Sequence, residues 1–314
     1  MAALEKVVVV TKKTALEELV ERFNTREQAR FYLEHMGVAF EPYLAAHDAY
    51  RRAVAALHEA LPRGSRSQWI ERAFLPTFLF GPHDLVVTLG PDGLVVNTAK
   101  YLTTQPLLAF NPDPERIDGI LLPFRVAQAG EKIGSALRGE HTLKKISMAR
   151  AELNDGQRLE AVNDLFIGAR THVSARYRLR FQDRLEDQSS SGIIVSTGAG
   201  STGWFRSILT GAAGVIEKFA AAKEVRAARQ KYRFDWEADY LYFSVREPFV
   251  SKVSAADLVF GRIPAAEQLE VVSAMPQNGV IFSDGVEADF LQFNSGVIAR
   301  IGLSDKKVHL IVRA

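Results

Sequence analysis

The stretch DLVVTLGPDGLVVNTAKYL, Asp84 to Leu102, restricts what this chain can fold into more than any other. A run of β-formers, Asp84 to Leu89, meets a tight Gly90-Pro91-Asp92-Gly93 turn, and a helix-compatible segment begins at Leu94. A strand ending in a Gly-rich turn that opens a helix leaves backbone N–H groups pointing outward, which suits phosphate binding. Asp92 stands in the middle of that turn. Local sequence alone favours a helix cap, since Asp is a preferred N-cap residue. A ligand-facing carboxylate is the other reading, and only the rest of the chain can support it.

Around this junction the first half alternates strands and helices. KVVVVT (Lys6 to Thr11) is a continuous apolar run, the pattern of a buried parallel strand. Thr14 and Glu17 have the spacing of a capping box. Helical periodicity recurs through about Arg26 to Met36 and Tyr43 to Leu61. PLLAFN (Pro106 to Asn111) reads as another buried strand running into the turn-rich NPDPERIDG, and a helix is expected from about Val126 to Arg138. This order predicts a doubly wound, Rossmann-like α/β domain over residues 1–139.

From about Gly139 the texture changes. RLEAVNDLFIG (158 to 168) and ARYRLRF (175 to 181) alternate with period 2, and YLYFSVRE, QLEVVSA, GVIFSD and SGVIARIG continue the strands. A helix is expected from about Ser207 to Lys231. Residues 140–302 therefore read as a predominantly β domain, and 303–314 as a terminal strand returning to the first. With 314 residues, 47% hydrophobic and 24% charged, the chain can bury a large core. It has no cysteine, which removes disulfides, thiolate metal sites and cysteine nucleophiles together. A net charge of +2 does not call for nucleic acid. No apolar run is long enough to span a bilayer, and no export signal is visible, so a cytoplasmic protein with no membrane partner is expected.

GAGSTG (Gly198 to Gly203) matches the dinucleotide fingerprint letter for letter, after the buried strand within SSSGIIVST. The acidic residue that should end a second strand about twenty positions later is missing, because Glu217 and Glu224 lie in helix-like sequence. The glycines serve equally well for a tight strand-to-helix turn. Trp204 stands where a P-loop needs lysine. Ser201, Asp284 and His309 follow hydrolase chain order, but Ala199 breaks the elbow motif and His309 sits in strand-like sequence. The seven histidines show no close ligand pairing, so no metal site is expected. Asn163-Asp164 lies in apolar context and would need partners if buried, either in an Asx turn or on a ligand. Asp284-Gly285 reads most simply as a hairpin turn.

Taken in order, GPDGL (90 to 94), FNPDPER (110 to 116), VNDLFIG (162 to 168), STGAGSTGW (196 to 204) and FSDGVEADF (282 to 290) resemble the NAD kinase family, particularly its mitochondrial-type branch. That family carries Gly-Gly-Asp-Gly-Thr, an Asn-Glu pair, a Thr-Gly-Ser-Thr-Ala-Tyr type loop and a late Asp-Gly. This chain departs from it at Pro91, Leu94, Asp164, Ser191 and Ala199. The resemblance implies transfer of the ATP γ-phosphoryl to the adenosine-ribose 2′-hydroxyl of NAD, with Mg²⁺, to give NADP. It implies Asp92 as the catalytic residue. It implies nucleotide contacts from Gly90, Gly93, Asn111, Asn163, Asp164, Ser191, Ser201, Thr202, Gly203, Trp204 and Asp284, and a homodimer. Two alternatives stay open: a non-catalytic nucleotide-binding protein of the same fold, and a kinase for another hydroxyl, on a sugar, nucleoside or lipid.

Overall fold

Three runs of apolar residues, Lys6–Thr11, Asp84–Leu89 and Pro106–Asn111, pair in parallel to form the core of the first half of the chain. The computed structural model describes residues 4–219 and 233–313. The chain divides into two units, Met1–Lys144 with His309–Ala314, and Lys145–Val308. In the first, β1 (Lys6–Thr11), β2 (Arg66–Glu71), β3 (Asp84–Leu89), β4 (Pro106–Asn111) and the short β5 (Phe124–Arg125) are parallel, in the order β2-β1-β3-β4 with β5 on β4. The helices are α1 (Ala15–Phe23), α2 (Arg26–His35), α3 (Glu41–Ala60), α4 (Asp92–Ala99) and α5 (Ala129–Leu137). Residues of one sheet face, Val7, Val9, Leu85, Val87 and Leu89, pack against Tyr50, Ala53 and Leu57 of α3 and Ile133 of α5. Strand period 2 and helix period 3.6 bring these residues into one core. Thr14 and Glu17 form the expected capping box at α1.

The strand β2 gives no apolar signal. Arg66, Ser67 and Gln68 are exposed, and the segment is held by main-chain pairing to β1 at the sheet's edge. The α4 helix begins at Asp92, two residues before the expected start.

The second unit is antiparallel. Its strands are β6 (Thr142–Leu153), β7 (Arg158–Ala161), β8 (Asp164–Ala169), β9 (Ala175–Phe181), β10 (Arg184–Ser190), β11 (Ile193–Ser196), β12 (Tyr240–Val245), β13 (Phe260–Pro264), β14 (Leu269–Ser273), β15 (Gly279–Ser283), β16 (Val286–Gln292) and β17 (Ile298–Val312). The order β13-β12-β11-β8-β15-β16 forms one sheet; β10-β9-β14-β17, with β6 and β7, contribute to the other layer. β9 alternates buried and exposed residues as its sequence predicts, whereas β8 is buried on both faces. Leu165 and Ile167 face the main core, while Phe166 faces a second cluster with Trp204 and Ile208 of α6 (Trp204–Phe219). That helix starts three residues before the expected Ser207; the remainder of the expected span, 220–231, lies outside the described residues. SGVIARIG and KVHLIVR form a single strand, β17. It pairs with β14 at its start; near its end His309 and Leu310, which belong to the first unit, pair in parallel with β4 of that unit. Among the described residues no helix is long and apolar enough to cross a membrane.

β3 is the central support of the first unit, hydrogen-bonded on both sides and buried throughout. Leu85→Ala is expected to lower stability by about 2–5 kcal/mol, the cost of a large-to-small change in a packed core. Urea unfolding checks it; a loss below about 1 kcal/mol would contradict the packing described.

Candidate functional site

The turn after β3 is shaped from beneath. A Cβ at Gly90 would lie 2.7 Å from Cδ2 of Leu94, so any side chain there would require Leu94 to move. Leu94 is 1% exposed. Its side chain fills the base of the turn instead of facing outward, where a hydroxyl could meet phosphate. Pro91 takes the N-cap position at φ −72°, and its carbonyl accepts the Leu94 amide at 2.8 Å.

Asp92 is the first helical residue, which corrects the cap reading. Its Oδ1 accepts the backbone N–H of Leu121 at 2.6 Å. The Asp92 and Gly93 amides belong to the first helical turn, where the helix itself supplies no acceptor. Gly93 is exposed, with open space where a Cβ would be.

Asn111, at the end of β4, shapes the loop that carries Leu121. Its Nδ2 donates to the Ile117 carbonyl at 2.9 Å and its Oδ1 accepts the Asp113 amide at 3.0 Å. Gly119, at φ +67°, passes so close that a Cβ would lie 2.6 Å from Asn111 Nδ2. Asn111 thus acts on Asp92 indirectly, through the loop.

In the second unit the segment read as one strand breaks at Val162-Asn163, between β7 and β8. Asp284 fills the break. Its Oδ1 accepts the amides of Asn163 (2.7 Å) and Asp164 (3.2 Å), and its Oδ2 accepts that of Val162 (3.1 Å). Its own amide donates to the Asp164 carbonyl at 2.9 Å. Asp284 and Gly285 both have positive φ, 56° and 70°, the backbone that an Asp-Gly hairpin turn requires.

The side chains of the Asn163-Asp164 pair are left with unused capacity. Oδ1 of Asn163 and Oδ1 of Asp164 are buried without a hydrogen-bond partner in the protein, as is Oγ of Ser283. Burial pushes the Asp164 carboxyl up to about 7; a hydrogen bond from Ser196 opposes the rise and the charge of Asp284 adds to it. Among the described residues no group of three or more His, Asp or Glu is arranged to hold a metal ion.

The first two glycines of GAGSTG face protein. A Cβ at Gly198 would lie 1.9 Å from the Asp235 carbonyl oxygen, and one at Gly200 would lie 2.2 Å from that of Asn163. Their role is close backbone approach within the fold. Ser201 is 1% exposed and its hydroxyl donates to the Gly198 carbonyl at 2.7 Å. With the Asp284 carboxylate taken by main-chain amides, neither residue is set for nucleophilic catalysis. Thr202 is half-buried and Gly203 exposed, so the outward side of the loop is there.

Ser191 and Trp204 meet in a different place, a cavity of about 350 Å³ that also contains Arg170, His172, Arg246 and Phe290. Trp204 stacks on Phe166 with ring centroids 5.8 Å apart and planes 3° from parallel, and the Arg246 guanidinium lies 5.4 Å from the Trp204 ring centre. Arg170 lies 5.1 Å from the Phe290 ring centre. No sequence signal marks the two arginines; only the strand pairings bring them together.

No family model matches the chain. The NAD kinase of Clostridium kluyveri is 28% identical over 129 residues, 38% of this chain and 44% of that enzyme, so the match spans less than half the relative's length. NAD kinase 2, mitochondrial, of Rattus norvegicus is 23% identical over 316 residues, 79% of this chain and 74% of that protein. Among solved structures, yeast NADH kinase complexed with NADH superposes with a TM-score of 0.64, covering 100% of this chain and 85% of its own at 13% identity. That likeness establishes the fold.

Two measurements check the geometry of this region. Gly200→Ala is expected to destabilise the protein severely and Gly203→Ala only slightly, since a Cβ clashes at the first and meets nothing closer than 3.5 Å at the second; equal melting temperatures would refute the packing role. Asp164, with its carboxyl raised above the unfolded value, stabilises the fold fully only in acid, and that contribution is lost as pH rises from about 4 to about 7. Asp164→Asn is expected to flatten this dependence, which is at most about 1.4 kcal/mol per pH unit. Urea unfolding at pH 5 and pH 7.5 reads it.

Proposed function

We propose that the chain is a member of the NAD kinase family and that it transfers the γ-phosphoryl of ATP to the 2′-hydroxyl of the adenosine ribose of NAD, giving NADP, a reading supported by its likeness to NAD kinases. The observation that carries this reading is the fixed carboxylate of Asp92. One oxygen is anchored by the Leu121 amide at the start of α4, and no hydrogen bond among the described residues engages Oδ2. A carboxylate so held can accept a hydrogen bond from a substrate hydroxyl and align it for in-line attack.

Asp92 is too weak a base to remove the hydroxyl proton before reaction, so orientation is the larger part of its role. The bond from O2′ to the γ-phosphorus forms as the β–γ bridging bond breaks. ADP departs, and the proton passes to the carboxylate or to water. Catalysis of this kind rests on positioning and on neutralising spread charge. The first-turn amides of α4 would supply donors for the phosphates. The described residues do not form a cage for Mg²⁺, which would enter as the counter-ion of ATP, and no protein ligand is assigned to it.

Asn163 and Asp164 would take the dinucleotide's hydroxyls and amide through their side chains, in an arrangement that Asp284 positions. A neutral Asp164 can also donate. Thr202 and Gly203 offer the outward side of the loop. Trp204, backed by Phe166 and faced by Arg246, would close the cavity containing Ser191. An assembly of two copies belongs to the same reading, with mass by light scattering as its check.

Pro91 favours a second reading, a pocket that binds nucleotide without turnover, because proline removes one amide from the turn. Purified protein with ATP, Mg²⁺ and NAD, with NADP read by a coupled dehydrogenase, separates the two. Asp92→Asn is expected to lower turnover by roughly 10²–10⁴-fold with little change in NAD affinity. Unchanged turnover would end the role given to Asp92. NAD binding without NADP formation would select the second reading.

A further inference from the structure

The first unit contains a cavity of about 440 Å³ where β1, β3 and β4 end, lined by Lys12, Pro91 and Pro112 just beyond those strands. This volume lies within the roughly 300–1,000 Å³ of small-molecule sites, and the carboxyl ends of parallel strands are where open α/β sheets bind ligands.

The walls are mostly apolar. Tyr43 and Ala46 of α3 and Ile117 join the two prolines. The Tyr50 hydroxyl donates to the Leu89 carbonyl at 2.9 Å and accepts the Lys12 amide at 3.0 Å. That pair of bonds holds the ends of β1 and β3 at a fixed distance, so the cavity exists without a ligand. The one carboxylate in the wall, Asp113, is bound to Arg116 at 2.6 Å. Lys12 lines the cavity as well, so an anionic group extending from it would meet two cations and no uncompensated negative charge.

The cavity surface is mostly apolar, and several of its polar groups are already engaged, Thr14 Oγ1 with His47 Nδ1 at 2.9 Å and the Tyr50 hydroxyl with main chain, which suits a heteroaromatic ring better than a polyol. Pro91 then has a positive role, since it offers no amide to phosphate but supplies a ring face beside the residue that starts α4. We infer that this cavity receives the base of the nucleoside triphosphate donor, between Tyr43, Pro91, Pro112 and Ile117, with Lys12 and Arg116 taking its phosphates; the inference rests on the kinase reading above.

Filling the cavity from α3 tests it. Wild-type protein is expected to bind ATP in calorimetry, and Ala46→Trp to weaken that binding roughly tenfold or more. Titrations with NAD and with inorganic tripolyphosphate, which has no base, are expected to stay unchanged. Ile117→Trp serves if Ala46→Trp fails to fold by circular dichroism. Equal ATP affinity in wild type and a folded tryptophan variant overturns the inference, as does absence of ATP binding to wild type. Tripolyphosphate affinity falling in step with that of ATP overturns it too. The two proposals fail separately. ATP binding lost in the variant, with no NADP made by wild type, keeps the cavity and discards the NAD reaction. NADP formation with an unchanged KM for ATP in the variant does the reverse.

Discussion

Three consecutive main-chain amides, those of Val162, Asn163 and Asp164, converge on the single carboxylate of Asp284. The chain leaves one strand and enters the next at this point, so these amides have no ladder partner, and burying them unpaired would cost about 1–3 kcal/mol each. Asp284 satisfies all three from the tip of a hairpin more than a hundred residues away. The Asn163 carbonyl is thereby fixed, and it accepts the Thr197 amide at 2.9 Å and defines the space in which Gly200 must fit. The course of the loop into α6, and so the position of Trp204, follows from this one charge.

The first unit uses the same device at smaller scale. Asp92 accepts one main-chain amide, from a loop whose shape is set by the Asn111 side chain and by the left-handed Gly119. In both places a carboxylate stabilises irregular backbone and keeps one part of its surroundings available. For Asp92 that part is its own second oxygen, which no hydrogen bond among the described residues engages; beside Asp284 the Asn163 and Asp164 side chains each keep one buried oxygen without a hydrogen-bond partner.

Much of this is legible in the sequence. The runs at Val7 to Val10 and Leu85 to Leu89 announced buried parallel strands because a strand covered on both faces needs no polar alternation. The Asp-Gly hairpin at 284 and the capping box at Thr14 were readable because each is a local solution to a local backbone problem. Other features depend on partners distant in sequence. β2 forms through main-chain bonds that its exposed side chains do not advertise. The commitment of Asn111 to its own loop was hidden for the same reason. Arg170 and Arg246 carry no pattern, since they meet the aromatic rings only after the six-stranded sheet is assembled. The raised Asp164 carboxyl likewise reflects surroundings that no short motif encodes.

The two inward-facing glycines of GAGSTG bear on how such a motif varies over evolutionary time. At 198 and 200 the constraint comes from the protein's own carbonyl oxygens, so drift at either position is blocked whatever ligand the loop meets. At 203 the nearest atom to a Cβ is 3.5 Å away, so packing within the fold does not resist a change there. A single hexad thus combines two positions fixed by architecture with one that the fold leaves open, and a match to its letters does not tell them apart.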